Sequence, residues 1–179
     1  GQPRRYIAIR ADITARKQAE EALRQATERA RFLSNAVENA SVAFASGYAD
    51  GRIGFFNDAF VKLTGYTETE LRSLNWAVDL TPPEWRESEA RAVAEVARTA
   101  QPQLYQKEYI RKDGTRVPVE FKVHVAYNDR GEVDYFYSFI TDIRQRKADE
   151  QALRESRRFA LAALDSLSAR IAVLEADGS

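Results

Sequence analysis

A chain of 179 residues with 27 basic and 27 acidic side chains carries no net charge to attract nucleic acid, and 44% apolar content suits a soluble globular protein. Cysteine is absent, which excludes disulfides, thiolate metal sites and cysteine nucleophiles. No apolar run reaches membrane-spanning length and no signal peptide opens the chain, so a cytoplasmic location without membrane contact is predicted for this stretch.

The chain opens inside a repeat. Asp12-Ile13-Thr14-Ala15-Arg16-Lys17, followed by Glu20, Ala22, Leu23 and Arg24, returns as Asp142-Ile143-Arg144-Gln145-Arg146-Lys147, followed by Glu150, Ala152, Leu153 and Arg154, at an offset of 130. Arg31-Phe32 returns as Arg158-Phe159, and Ala49-Asp50-Gly51 as Ala176-Asp177-Gly178, at an offset of 127. A period of that length is a whole domain. Residues 1–15 are therefore predicted to be the C-terminal strand of a preceding module, 41–143 a complete module, and 169–179 the start of a following one, with linker helices at 16–40 and 144–168. Together with the missing initiator Met, this predicts a fragment excised from a longer array. Three fewer residues in the second linker break a heptad count, so the two linkers are expected to differ in phase.

Residues 16–40 predict a helix with a seam of Ala19, Leu23, Ala26, Ala30, Leu33, Val37 and Ala40 at alternating spacings of four and three. Such a seam fits a helix packed on its own domain, but its Ala-rich narrowness and continuous polar flanks favour a parallel two-stranded coiled coil. Ser41 to Tyr48 and Arg52 to Phe56 predict a hairpin across Asp50-Gly51. Asn57 caps a short helix over Asp58 to Leu63 that Gly65 ends. Thr67 to Glu70 reads as a capping box, and Thr81-Pro82-Pro83-Glu84 as a second one opening a long helix from Pro82 to Ala100, with Trp85, Ala92, Val93 and Val96 inward.

Three longer strands follow: Leu104 to Arg111, Arg116 to Tyr127 and Val133 to Ile143, separated by Asp113-Gly114 and Asn128 to Gly131 turns. In the second, Val117, Val119, Phe121, Val123 and Val125 alternate with polar residues. The third is apolar on both faces, Phe136, Ser138 and Ile140 against Tyr135, Tyr137 and Phe139. One face should meet the short helices, and the other should be covered most simply by the helix at 16–40.

Catalytic patterns are missing. There is no phosphate-cradling Gly-rich loop, no nucleophile motif with a partnering His and no metal-spaced cluster, so no enzyme activity is predicted for the fragment. The acidic pairs Glu68 with Glu70 and Glu87 with Glu89 sit in amphipathic helical segments and read as solvated surface.

Asn57-Asp58-Ala59-Phe60, Leu63-Thr64-Gly65-Tyr66, Glu70-Leu71, Arg111 to Thr115, Gly131-Glu132 and Thr141-Asp142-Ile143 leading into a charged helix together resemble a PAS domain followed by its PAC segment, over residues 32–147. The resemblance implies an α+β fold, a five-stranded antiparallel sheet with short helices on one face, flanked by signalling helices. It also implies a sensory or relay role upstream of a histidine kinase, cyclase, phosphodiesterase or chemotaxis output. PAS domains bind haem, flavins, small metabolites or nothing. The light-oxygen-voltage class carries Asn-Cys ten residues after its Gly-Tyr glycine, where this chain has Asn75-Trp76, so a flavin–thiol adduct is excluded. The flavin-binding amides of that class would fall at Tyr109, Val119 and Ile140, which cannot replace them. FAD is disfavoured because Gln103 stands where redox-sensing members keep a Trp. Haem is disfavoured because the long helix has no His and the lone His124 lies on a polar strand face. No cofactor and no metal are predicted.

Aligned inward positions mark Phe56, Phe60, Leu71, Trp76, Trp85, Tyr109, Val119, Phe121, Phe136, Ser138 and Ile140 as pocket candidates. A packed core is favoured over a ligand cavity, with Trp76 and Trp85 closing the volume; a small apolar or aromatic ligand, or an occupied flavin or haem pocket, is the alternative. Asp142, Ile143 and Arg144 are the coupling residues, because the last strand runs into the next helix without a breaker. That helix resumes four-three spacing at Ala160, Leu164, Leu167, Ile171 and Leu174. The family's usual Thr, present at Thr14, is replaced by Arg144, which predicts a rerouted contact to Asp142 or Glu132. The implied assembly is a homodimer through the linker helices, within a bacterial-type two-component array of adjacent PAS modules and a downstream output domain.

Overall fold

A computed structural model describes residues 14–176. The strand expected at 1–15 lies outside the described residues except for Thr14 and Ala15, as do 177–179. Two units divide at Ala40 and Ser41, and each is described by itself.

The first unit is one helix, α1 (Thr14–Glu38). Arg24 reaches Glu21 one turn back and Glu28 one turn on, the i,i+3 and i,i+4 pairing that supports an isolated helix surface. Leu23 and Leu33 on its apolar seam are 68% and 53% exposed.

The second unit runs β1 (Ala43–Gly47), β2 (Ile53–Phe56), α2 (Asp58–Thr64), α3 (Glu68–Leu71), α4 (Pro83–Thr99), β3 (Gln103–Ile110), β4 (Arg116–Tyr127), β5 (Val133–Asp142) and α5 (Arg144–Ala176). The five strands form one antiparallel sheet in the order β2-β1-β5-β4-β3. The last strand to be made is thus the middle one, paired from Ala43↔Ile140 on one side and Phe121↔Ile140 on the other. Its alternation is the predicted one: Phe136 and Ile140 are buried, while Tyr135 and Phe139 stay partly exposed on the outer face. There His124 stacks on Tyr137 with ring centres 4.9 Å apart, and Phe44 meets Phe139 edge-on. The helix expected to cover this face belongs to the other unit.

Local chemistry sets the element ends. Gly51 turns the first hairpin at φ 91, in the left-handed region, and a Cβ there would run into the Asn75 side chain. Asn57 does more than cap α2: its Oδ1 accepts from the Phe60 and Phe44 amides, and its Nδ2 donates to the Val42 carbonyl, tying the helix start to β1. Asn57→Ala is expected to cost about 2–3 kcal/mol, a lost cap plus buried backbone groups left unpaired. An unchanged urea midpoint would show that these bonds are dispensable.

The capping box at Thr67 and Glu70 forms as predicted. The one expected at Thr81 does not. Pro82 occupies the cap position with no side-chain bond, and the Thr81 hydroxyl turns away to donate to the Trp76 carbonyl. Two consecutive prolines supply no N–H at the first positions of the turn, so a capping hydroxyl has little to satisfy. At the other end of the unit, α5 continues without a break past residue 168 to Ala176.

Candidate functional site

The inner face of the sheet and the underside of α4 border a partly open cavity of about 50 Å³. Most of its wall is apolar, with Phe60, Tyr109, Phe121, Phe136 and Ile140 contributing. Ser46, Ser138 and Glu89 are the exceptions. Gly47 admits Trp76 as a cover: a Cβ on Gly47 would lie 2.8 Å from the indole nitrogen, and that nitrogen donates to the Tyr48 carbonyl at 3.1 Å.

Beside the cavity lies an ion pair in the core. Lys107 from β3 and Glu89 from α4 are only 2% and 3% exposed, and the ammonium donates to Glu89 Oε1 and, at 2.7 Å, to Thr81 Oγ1. It also sits 4.6 Å from the ring centres of both Tyr109 and Phe121, so two π-faces take the place of further water. Burial draws the Lys107 ammonium down to about 8, while the Glu89 carboxylate pulls the other way. Burial and the nearby negative charge push the Tyr105 phenol up, and Tyr109 likewise. The Tyr105 hydroxyl makes a long 3.4 Å bond to Glu89 Oε1. Glu89 Oε2 is buried with no protein donor among the described residues.

The second feature is the joint between sheet and helix. A single residue, Ile143, separates β5 from α5 and is 1% exposed; its amide donates to the Pro118 carbonyl of β4, and its carbonyl accepts from Lys147. Arg144 is clamped on Asp142 by its backbone amide at 2.9 Å and by its guanidinium at 2.7 Å. Burial opposes the charge on Asp142, but these bonds hold its carboxyl below the usual range. Arg146, one turn into α5, reaches back to Glu120 on β4 at 2.8 Å. The helix is therefore fastened to two strands through its first turn.

Residues 41–145, over half of the chain, match the family model for the PAS domain. The chain belongs to the PAS domain family. The hybrid signal transduction protein dokA of Dictyostelium discoideum is 36% identical over 104 residues, 56% of this chain but 6% of that protein, so the chain spans a small fraction of that relative. The PAS domain of a Colwellia psychrerythraea protein superposes with a TM-score of 0.60 at 16% identity, covering 64% of this chain and 97% of that one. A sensory box histidine kinase/response regulator from Burkholderia thailandensis gives 0.57 at 21% identity, covering 73% and 98%. At these identities the structural likeness establishes the fold. PAS domains are sensory modules of signalling proteins, and this chain carries one.

In this PAS domain, Phe60, Trp76, Tyr109, Phe121, Phe136, Ser138 and Ile140 line the cavity. Leu71 and Val119 are fully buried in the core beside it, and Phe56 packs against that core half-buried. Trp85 is half-buried at the start of α4 and is not part of the cavity wall, so the closure expected of two indoles falls to Trp76 alone. Of the seam positions, Ala19, Leu23, Ala26, Ala30 and Leu33 are exposed and Val37 is half-buried. Arg144 takes Asp142 rather than Glu132, whose carboxylate instead accepts from Asn128.

Glu89 corrects the sequence reading. Grouped with Glu87 as solvated surface, it is in fact buried, because it stands one turn before Val93 on the inward stripe of α4. Lys107 is not among the expected site residues. It alternates in phase with Tyr105 and Tyr109 on β3, and a charge in phase with inward aromatics on each of two elements was the available signal for a pair. Among the described residues no group of side chains has metal-ligating spacing, and no helix is long and apolar enough to cross a membrane.

Proposed function

We propose that the domain is a dimeric signal relay: changes in the core or at the cavity move β5, and β5 moves α5. The observation that carries this is the joint, where one buried residue joins the middle strand of the sheet to the helix and leaves no flexible segment to absorb a shift. Helices α1 and α5 act as the linkers, pairing with those of a second copy and passing a change of rotation or register to adjacent PAS modules and a downstream output such as a histidine kinase or a cyclic-dinucleotide enzyme. Their exposed Leu23 and Leu33, and Leu153 and Leu164, supply the apolar seam that such pairing buries. The PAS domain itself does no catalysis.

The cavity supports a reading without a bound chromophore. Trp76 stands where the thiol of a light-sensing flavin site would be, and about 50 Å³ is far below the roughly 300–1,000 Å³ of pockets that take large ligands. Sedimentation of the 179-residue chain at high concentration tests the relay reading. A dimer is expected, and Leu23→Glu with Leu33→Glu should shift it to monomer. A wild-type chain that stays monomeric would remove the basis for paired linkers.

A further inference from the structure

We propose that two α5 helices, paired parallel and in register in a dimer of this chain, change their seam at Ala160, and that Arg157 is the residue that forces the change. The inference deepens the relay reading and rests on it. Helix α5 runs unbroken from Arg144 to Ala176, so its spacing can be followed as one line. From Ala160 onward the four-three spacing leads through Leu164 to Leu174. Continued back towards the PAS domain, that line passes Arg157 and then Leu153. A second line also joins Leu153 to Ala160, by three residues and then four, but passes Ser156 instead. Leu153, Ser156, Arg157, Ala160 and Leu164 are all exposed, so both lines are open to a partner.

Charge decides between the two lines. The positions three and four residues from Arg157 are Leu153, Arg154, Ala160 and Leu161, so its own helix offers no acid to neutralise it. On the seam, Arg157 would enter a hole on the second copy made by Leu153, Ser156, Arg157 and Ala160, which brings two guanidiniums together and again supplies no carboxylate. Ser156 carries no such cost. With Ser156 inward, the seam passes to Leu164 by two successive spacings of four about Ala160, a stutter at which the pair locally unwinds. Helix α1 needs no such change, because Ala30 stands at the repeat position of Arg157 and its seam from Ala19 to Val37 holds no charge. The half of α5 next to the joint is thus held in one rotation, and a movement of β5 that turns it towards Arg157 works against like charge.

The chain has no cysteine, so single introduced cysteines report the seam by interchain disulfide formation under mild oxidant. Leu153→Cys lies on both lines and should cross-link whether or not Arg157 is present. Ser156→Cys is expected to cross-link at a rate close to that of Leu153→Cys while Arg157 is kept. Adding Arg157→Leu lets the continuous line win, so Ser156→Cys should slow about tenfold relative to Leu153→Cys, and the cysteine-free Arg157→Leu dimer should be about tenfold tighter in sedimentation. The seam change is overturned if Ser156→Cys cross-links no faster than Glu155→Cys on the opposite face. It is equally overturned if Arg157→Leu leaves the Ser156→Cys rate and the dimer affinity unmoved, or if Leu153→Cys fails to cross-link. Any of these results from a chain that sediments as a dimer removes the role of Arg157 and leaves the relay reading standing. A wild-type monomer removes both.

Discussion

Lys107→Met is expected to destabilise the domain by about 3–5 kcal/mol, the cost of leaving a buried charge without its partner. Glu89 would keep its carboxylate in the core with only the long Tyr105 bond remaining. Replacing both members, Glu89→Met with Lys107→Met, should recover most of that loss, because an apolar pair of similar volume escapes the desolvation that the ion pair incurs. Urea melts of the three variants check this, and a double variant no better than the single would show that the pair stabilises the fold outright. The same residue shapes the alkaline limb. Lys107 is lowered to about 8 in the folded chain and sits at 10.5 when unfolded, so above pH 8 the unfolded chain holds a proton that the core has shed. Stability contributed by this group therefore rises with pH from about 8. Near pH 10 the raised phenols of Tyr105 and Tyr109 act in the opposite sense, since they ionise more easily when unfolded. Lys107→Met should lack the rise and keep the fall.

Ile143→Ala is expected to cost about 2–5 kcal/mol as a large-to-small change at a site without solvent. Its second effect is more specific. With the side chain gone, the residue between β5 and α5 loses its anchor in the core, and amide exchange over the first turns of α5 should speed up while exchange in β3 and β4 changes only with global stability. Protection lost uniformly across the domain would mean that Ile143 is ordinary core. Arg144→Thr, which restores the residue found at Thr14, should cost under about 1 kcal/mol, because the clamp on Asp142 is largely solvent-exposed and a Thr can cap in its place. The two variants together separate the joint's buried anchor from its surface clamp.

Much of the fold was legible because its determinants are local. Asp50-Gly51, Asp113-Gly114 and Asn128 to Gly131 each turn the chain by the chemistry of two to four adjacent residues, and the strict alternation in β4 needs only the period of a strand. The cavity wall was legible in part, through Phe60, Tyr109, Phe136 and Ile140, because inward apolar positions follow from the same alternation. Glu89 was not legible, since charge alone argues for solvent and only its helical phase argues against it. The role of Thr81 was not legible for a related reason. Its spacing to Glu84 fits a capping box, but the Trp76 carbonyl and the Lys107 ammonium are better partners than a turn that begins with two prolines.

The sequence by itself determined the family, the order of elements, the turns and the continuity of β5 into α5, all properties of short stretches of chain. Only the tertiary structure decided which charges meet. Glu89 and Lys107 are 18 residues apart on different elements, and Trp76 crosses to Tyr48 over 28. Such contacts depend on how a helix is laid across a sheet, and a helix can satisfy its own periodicity at several crossings. The buried pair and the indole over Gly47 select one of them. The same packing leaves Glu89 Oε2 buried without a protein donor among the described residues.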